Sequence, residues 1–245
     1  MSFPTIAHIA EDEIFNQYAT ERRPVGQKAI TEDGRQFRFC ENGGVAMVVA
    51  SMYQSVISAT IADGLNEVVG TMAAGDTVLT GVGATTNSQA IDSLKEGYVF
   101  SLTAADLNPC YRIKSNTLIT QGAATGTITL YTPLQAAIAA ASTISYVKSP
   151  WRDVVIAVGS NPTALVAGCA VKALALDTFG WLQTRGVCRV LAGGTTYVIG
   201  DPVGPGTVAG SAIPIAATEL TVPVYGHVVV AATNAEMGLV FLQID

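Results

Sequence analysis

Residues 179–203 read FGWLQTRGVCRVLAGGTTYVIGDPV, and the fold class follows from this stretch. Leu182, Thr184, Gly186, Cys188 and Val190 alternate with Trp181, Gln183, Arg185, Val187 and Arg189. A period of two sends successive side chains to opposite faces of an extended strand. Gly193-Gly194 tolerates the positive φ that a tight hairpin requires. Residues 195–199 are β-branched and aromatic, as a returning arm should be. Pro202 then ends that arm, because it has no N–H for the ladder. The expectation is a β-hairpin at the centre of a β protein.

Working outward, the same signals recur. Residues 151–245 hold further short alternating runs, at 222–232 and 239–244, separated by Gly, Pro and Asn. Residues 50–150 are short strand-like runs between turn signals, with one further short helix expected at 134–141. Residues 1–45 differ, carrying 12 of the 32 charges. Ile9, Ile14, Phe15 and Tyr18 predict a short amphipathic helix over 7–19, and Pro24, Gly26 and Asp33-Gly34 predict an extended arm over 20–34. A strand at 35–40 meets a second hairpin-type turn at Asn42-Gly43-Gly44, with 45–49 as its return. The stretches 40–49 and 185–198 share a strand–Gly-Gly–strand layout, which reads as common hairpin grammar and no strict internal repeat. The predicted architecture is mainly β: an extended N-terminal arm (1–45), a small antiparallel β-sandwich or barrel module (46–150) and a C-terminal β-barrel-like module (151–245).

Only 13% of the 245 residues are charged, where about 25% is usual. Without long alanine-rich helices to absorb the apolar residues, such a body points to a surface completed by partner subunits. The net charge of −6 is spread evenly, −2 in each of 1–45, 46–150 and 151–245. No basic stripe is present, which argues against nucleic acid. Residues 42–62 are uncharged but carry Gln54, three serines and a glycine pair, so they read as strand and not as a membrane span. Glu11, Asp12 and Glu13 interrupt the start before any apolar run of signal-peptide length. Cys40, Cys110, Cys169 and Cys188 form no C-x-x-C pair and read as reduced, mostly buried thiols.

Chemical motifs are weak. Gly70 to Thr77 has phosphate-loop spacing, but Asp76 stands where a lysine would reach the phosphates, so it reads as a turn. Gly81-x-Gly83 and Gly204-x-Gly206 lack the third glycine of a dinucleotide site. His227 lies on an apparent strand beside Tyr225, and no G-x-S-x-G elbow occurs. The acidic clusters Glu11-Asp12-Glu13 and Glu32-Asp33 read as a helix face and a turn, not as metal sites. The expectation is a non-enzyme with no catalytic set, no cofactor and no metal. Arg22, Arg23, Lys28, Arg35 and Arg38 concentrate positive charge in the arm, mixed with Glu21, Glu32, Asp33 and Glu41. Either the arm is solvated and held to its own domain, or these residues anchor it on a neighbouring subunit.

Several pieces carry a resemblance: DGRQFRF (33–39) followed by Gly43-Gly44, YRIK (111–114), TLYTP (129–133), GWLQT (180–184), GDPV (200–203) and PVYG (223–226). In this order the chain resembles virion structural proteins of tailed bacteriophages. The resemblance spans about residues 30–245 and brings no catalytic residue. It implies a capsid decoration, or cement, protein on the outer capsid surface, made in the host cytoplasm. Its partners would be the major capsid protein and itself, as a homotrimer, with no nucleic acid and no membrane. A tail or fibre component is the alternative within the virion. A carbohydrate-binding or polysaccharide-hydrolysing β protein is the alternative from another class; hydrolysis would need a carboxylate pair across a cleft.

Overall fold

The computed structural model describes residues 6–56, 64–85, 87–102, 108–139, 142–159, 163–215 and 222–245, with the backbone alone at positions 65 and 66. The chain is mainly β, in antiparallel sheets. Its strands are β1 (Ile6–His8), β2 (Lys28–Ile30), β3 (Gln36–Glu41), β4 (Met52–Gln54), β5 (Gly64–Val68), β6 (Val78–Val82), β7 (Tyr98–Ser101), β8 (Tyr111–Asn116) and β9 (Gly126–Leu130). They continue as β10 (Thr143–Val147), β11 (Val155–Ile156), β12 (Val166–Ala170), β13 (Phe179–Leu191), β14 (Pro202–Pro205), β15 (Ala212–Pro214), β16 (Gly226–Val230) and β17 (Met237–Gln243). The helix expected over 7–19 shrinks to a five-residue 3-10 turn, Glu11–Phe15. Its apolar residues are used otherwise: β1 lies parallel to β2, Ala10 is still extended at ψ 155°, and one tight turn then buries Ile14. Residues 134–139 are not helical either; Ile138 bridges Met72, and 140–141 lie outside the described residues.

The chain divides at 57/58 and 149/150: residues 1–57 and 150–245 form one unit, and 58–149 the other. This replaces the three consecutive segments expected. The first 45 residues are part of the larger unit, because β2 pairs with β3 in its sheet.

The smaller unit is a six-stranded sheet in the order β5-β10-β7-β8-β9-β6. Its two edges meet. Gly70 N–H donates to the Thr80 carbonyl at 2.9 Å, and Gly83 N–H to that of Val68 at 3.3 Å. The sheet is thus nearly a closed barrel, which leaves little free edge. Alternate residues fill it, among them Leu79, Val82, Ile113, Ile128 and Ile144. Tyr146 crosses the interior and donates to the Gly83 carbonyl at 2.9 Å. A Cβ on Gly64 would lie 2.1 Å from its ring, so glycine is needed there.

The larger unit is built on β13. The alternation read from its sequence holds over 185–191, where Arg185, Val187 and Arg189 are exposed and Gly186, Cys188 and Val190 buried. Over 179–184 both faces are buried. A bulge between Gln183 and Arg185 separates the two halves. The expected hairpin is absent. Residues 179–185 pair with β3, and Arg185–Leu191 pairs with β17. Residues 195–199 leave the ladder. Gly193-Gly194 serves close approach instead: a Cβ on Gly193 would meet Ser211 Oγ at 1.9 Å. The turn at Asn42-Gly43-Gly44 behaves alike, since a Cβ on Gly43 would lie 2.4 Å from Asp153 Cα.

These two glycine pairs are equivalent points in an internal duplication. Strands β3, β13 (first half), β12, β4 and β11 form a small five-stranded barrel, closed by the Asn42–Val154 bridge. Strands β13 (second half), β17, β16, β14 and β15 form another, closed by the Ala192–Ala212 bridge. Away from the β-bulges the ladders match pair for pair. Phe39↔Trp181 corresponds to Arg189↔Leu239, Cys169↔Gln183 to His227↔Phe241, and Tyr53↔Gly168 to Val203↔Gly226. Irregular bonds match too: Met47 N–H to Leu174 O and Tyr197 N–H to Ala232 O are both 2.8 Å.

Equivalent positions are 150 apart before the smaller unit (Gly43, Gly193) and 58 apart after it (Gly168, Gly226). The difference, 92, is the length of 58–149. Ile57 and Pro150 therefore correspond to the adjacent residues Thr207 and Val208. The smaller unit is an insertion at the tip of one β-hairpin, whose strands β4 and β11 pair antiparallel at Tyr53↔Ile156.

The core of the first barrel is Cys40, Met47, Tyr53, Val154, Ala167, Ala170, Leu174 and Leu182. Its counterparts Val190, Tyr197, Val203, Ala212, Tyr225, Val228, Ala232 and Val240 all lie in the core of the second. No side chain is the same in the two sets, but volume is exchanged: Met47 and Leu174 in one barrel become Tyr197 and Ala232 in the other. Cores tolerate such swaps when total volume is kept.

Candidate interaction face

The first barrel is covered on its outer face. Phe37, Phe39, Phe179 and Trp181 point away from its core and are buried by Ile9, Ile14, Val25 and Ala29 of the N-terminal segment. Phe39 packs edge-on to Trp181, with ring centroids 5.1 Å apart, and stacks on Phe179 at 6.1 Å. Burying Ile14 alone contributes roughly 1.5–3 kcal/mol.

Four of the five basic residues singled out hold this cover to its own unit. Arg23 pairs with Glu13 at 2.8 Å and lies over the Trp181 ring. Arg35 pairs with Glu11 and Asp33, each at 2.5 Å. Arg38 grips Asp245 through two bonds of 2.6 and 2.9 Å and lies 4.6 Å from the Trp151 ring centre. Lys28 adds a contact to Asp245 at 3.6 Å. The bond from Arg38, with Lys28 nearby, holds the Asp245 carboxyl below its ordinary value. Arg22 is exposed. The arm is thus not a free tether. Arg152, which the sequence reading passed over, ties the segment further, to Glu21 at 3.2 Å and Glu41 at 2.6 Å.

The equivalent outer face of the second barrel is bare. Phe37, Phe39, Phe179 and Trp181 become Val187, Arg189, Met237 and Leu239. Val187 is 42% and Met237 44% exposed, and Phe241 on the same face is 37% exposed. The register lines up Val187, Phe241 and His227 across β13, β17 and β16, with Arg189 opposite Leu239 in the next row. Val229 and Val230, at the β16 bulge, are exposed beside them. Among the described residues Arg185 and Arg189 form no ion pair. A groove of about 260 Å³, lined by Phe15, Arg35, Val171, Val187 and Arg189 among others, connects the edge of the cover to it. Sequence reading placed Val187 and Arg189 on one strand face but had no means to see that the cover stops short of it.

Asp76 Oδ2 accepts the Ala73 N–H at 2.8 Å and closes a turn with Gly75 at φ 94°. His227 is an exposed face residue, and His8 lies on β1. The four cysteines are free thiols, three of them buried, and burial pushes the Cys40 thiol up. Among the described residues no three His, Cys, Asp or Glu side chains cluster as a metal site would need. Among them, too, no helix is long and apolar enough to cross a membrane.

On the smaller unit, Tyr98, Phe100 and Tyr131 are exposed. Arg112 pairs with the buried Glu96 and packs on Tyr131 at 5.0 Å, and the Tyr131 hydroxyl donates to Glu96 at 2.7 Å. Comparison with family models, curated proteins and solved structures finds no match for this chain.

Proposed function

We propose that this chain is a structural protein of a tailed-phage virion, of the cement type. It binds the outer capsid surface through the major capsid protein, associates with itself as a homotrimer, and stabilises the head without catalysing a reaction. The observation that carries this reading is the bare apolar face of the second barrel, in a chain whose matching face is covered. A low-charge body with such a face is completed by neighbours. The resemblance to phage virion proteins supports the same reading, and its motifs fall on strands and strand starts of both units.

The test is co-sedimentation of the full-length protein with heads that lack it, followed by heating of the decorated heads. Saturable binding and a raised rupture temperature are expected; heads that neither bind the protein nor gain stability overturn the proposal. A monomer both in solution and on the head would remove the trimer.

A second reading, carbohydrate binding, is favoured by the exposed aromatics around the Arg112–Glu96 pair, since sugars stack on aromatic rings beside fixed polar groups. Titration of cell-surface polysaccharide fragments onto wild type and Tyr131→Ala decides it: binding lost in the variant supports it, and no binding to wild type removes it.

A further inference from the structure

We infer that the outer face of β13, β17 and β16 is the docking site for a segment of the protein's capsid partner that sets acids between apolar residues, and that this segment covers the second barrel as residues 9–29 cover the first. The inference deepens the cement reading and rests on it.

The duplication supplies the template. The same ladder builds both faces, so the segment that covers the first face shows what chemistry fits the second. On the first barrel the cover inserts Ile9 and Ile14 over Phe39 and Trp181. Between these two residues stand Glu11, Asp12 and Glu13. Two of these acids pair with arginines of the unit, Glu11 with Arg35 and Glu13 with Arg23. The second face repeats the apolar floor with Val187, Leu239, Phe241 and Met237 and sets Arg185 and Arg189 along it. Those arginines await the carboxylates. A second copy placed face to face would bring four arginines together, so like-charge repulsion disfavours self-pairing here and favours an acidic partner. Among the described residues one covering segment is present, and it is seated on the first barrel.

The experiment has a solution arm and a particle arm. In solution the probe is a synthetic peptide of residues 9–15, IAEDEIF, titrated onto the full-length protein and followed by backbone amide shifts. Shifts at Val187, Arg189, Leu239 and Phe241 are expected. They should weaken in high salt, fall about tenfold in affinity in an Arg185→Glu, Arg189→Glu double variant, and disappear for a peptide with lysines in place of its three acids. Shifts confined to the first barrel, or equal binding of the lysine peptide, overturn the inference.

On particles, a photo-cross-linking residue at position 241 should label a stretch of the capsid protein with acids between apolar residues. A cross-link to a second copy of this chain overturns it. Peptide binding intact on a protein that does not bind heads overturns the cement reading and leaves the chemistry of the face standing. Heads bound as well by the double variant as by wild type overturn the docking site and leave the cement reading intact.

Discussion

The two barrels of the larger unit share one ladder away from its bulges and share almost no side chains. Equivalent glycines persist at Gly43 and Gly193, Gly168 and Gly226, and Gly180 and Gly238, each where another part of the chain comes too close for a Cβ. The core residues between them are all exchanged. What the duplication preserves is therefore backbone approach, and what it frees is the outer face. One copy has spent that freedom on aromatic residues under a cover, and the other on a mixed apolar and basic surface open to solvent.

The shared ladder can be broken first at its glycines. A Cβ on Gly226 would lie 2.0 Å from Phe241 O, and one on Gly168 2.8 Å from Gln183 O. Gly226→Val and Gly168→Val should each cost more than about 4 kcal/mol and abolish cooperative unfolding of the unit. Both tryptophans, Trp151 and Trp181, lie in this unit, so their fluorescence in a urea titration reads it alone. If only one variant unfolds, the two barrels are not equivalent.

The difference between the faces comes next. Ile14→Ala should cost about 2–5 kcal/mol, as a large-to-small change in a packed cluster does. Phe241→Ala on the bare face should stay within about 0.5 kcal/mol. Equal losses would mean that the second face is already packed.

Removing 58–149 and joining Ile57 to Pro150 through two glycines should shift the fluorescence midpoint by only about 1 kcal/mol, because Thr207–Val208 shows the hairpin closing without an insert. Loss of the fold on excision would show that the larger unit depends on the smaller.

The smallest effect is at the cover's latch. The Asp245 carboxyl is held below its ordinary value of 3.8 by Arg38. Its contribution is therefore fully present above that value and lost as pH falls through the depressed one. Asp245→Asn should cost about 0.5 kcal/mol at neutral pH, since the pair is partly exposed. The gap between variant and wild type should close in strong acid; a gap that persists there would assign the effect to packing.

Most strands were legible because alternation and turn residues are local. The duplication was not. Its two offsets, before and after the insertion, hide the period, and Met47/Tyr197, Tyr53/Val203 and Ala167/Tyr225 erase the likeness of the cores. Gly-Gly at 43–44 and 193–194 reads locally as a hairpin tip, since the residues it makes room for, Asp153 and Ser211, are distant or unmarked in sequence. The arm's arginines were legible as a charged group, while their partners Glu11, Glu13 and Asp245 were fixed only by the fold. The bare face could not be read at all, because exposure depends on where the cover ends.

The insertion also sets a timetable. Phe39 of β3 meets its neighbour Trp181 only after the whole smaller unit has been made. At roughly 5–20 residues per second of synthesis, β3 and β4 wait on the order of ten seconds for their partners, while 58–149, being continuous, can close on its own. During that interval β3, which already has β2 on one side, leaves its other edge unpaired. Arginine, lysine and glutamate at 28, 35, 38 and 41 sit in and beside them, where charge opposes premature strand-to-strand association between nascent chains. The charge crowded into the first 45 residues therefore stands in and beside the strands that wait, and in the finished unit it latches the cover.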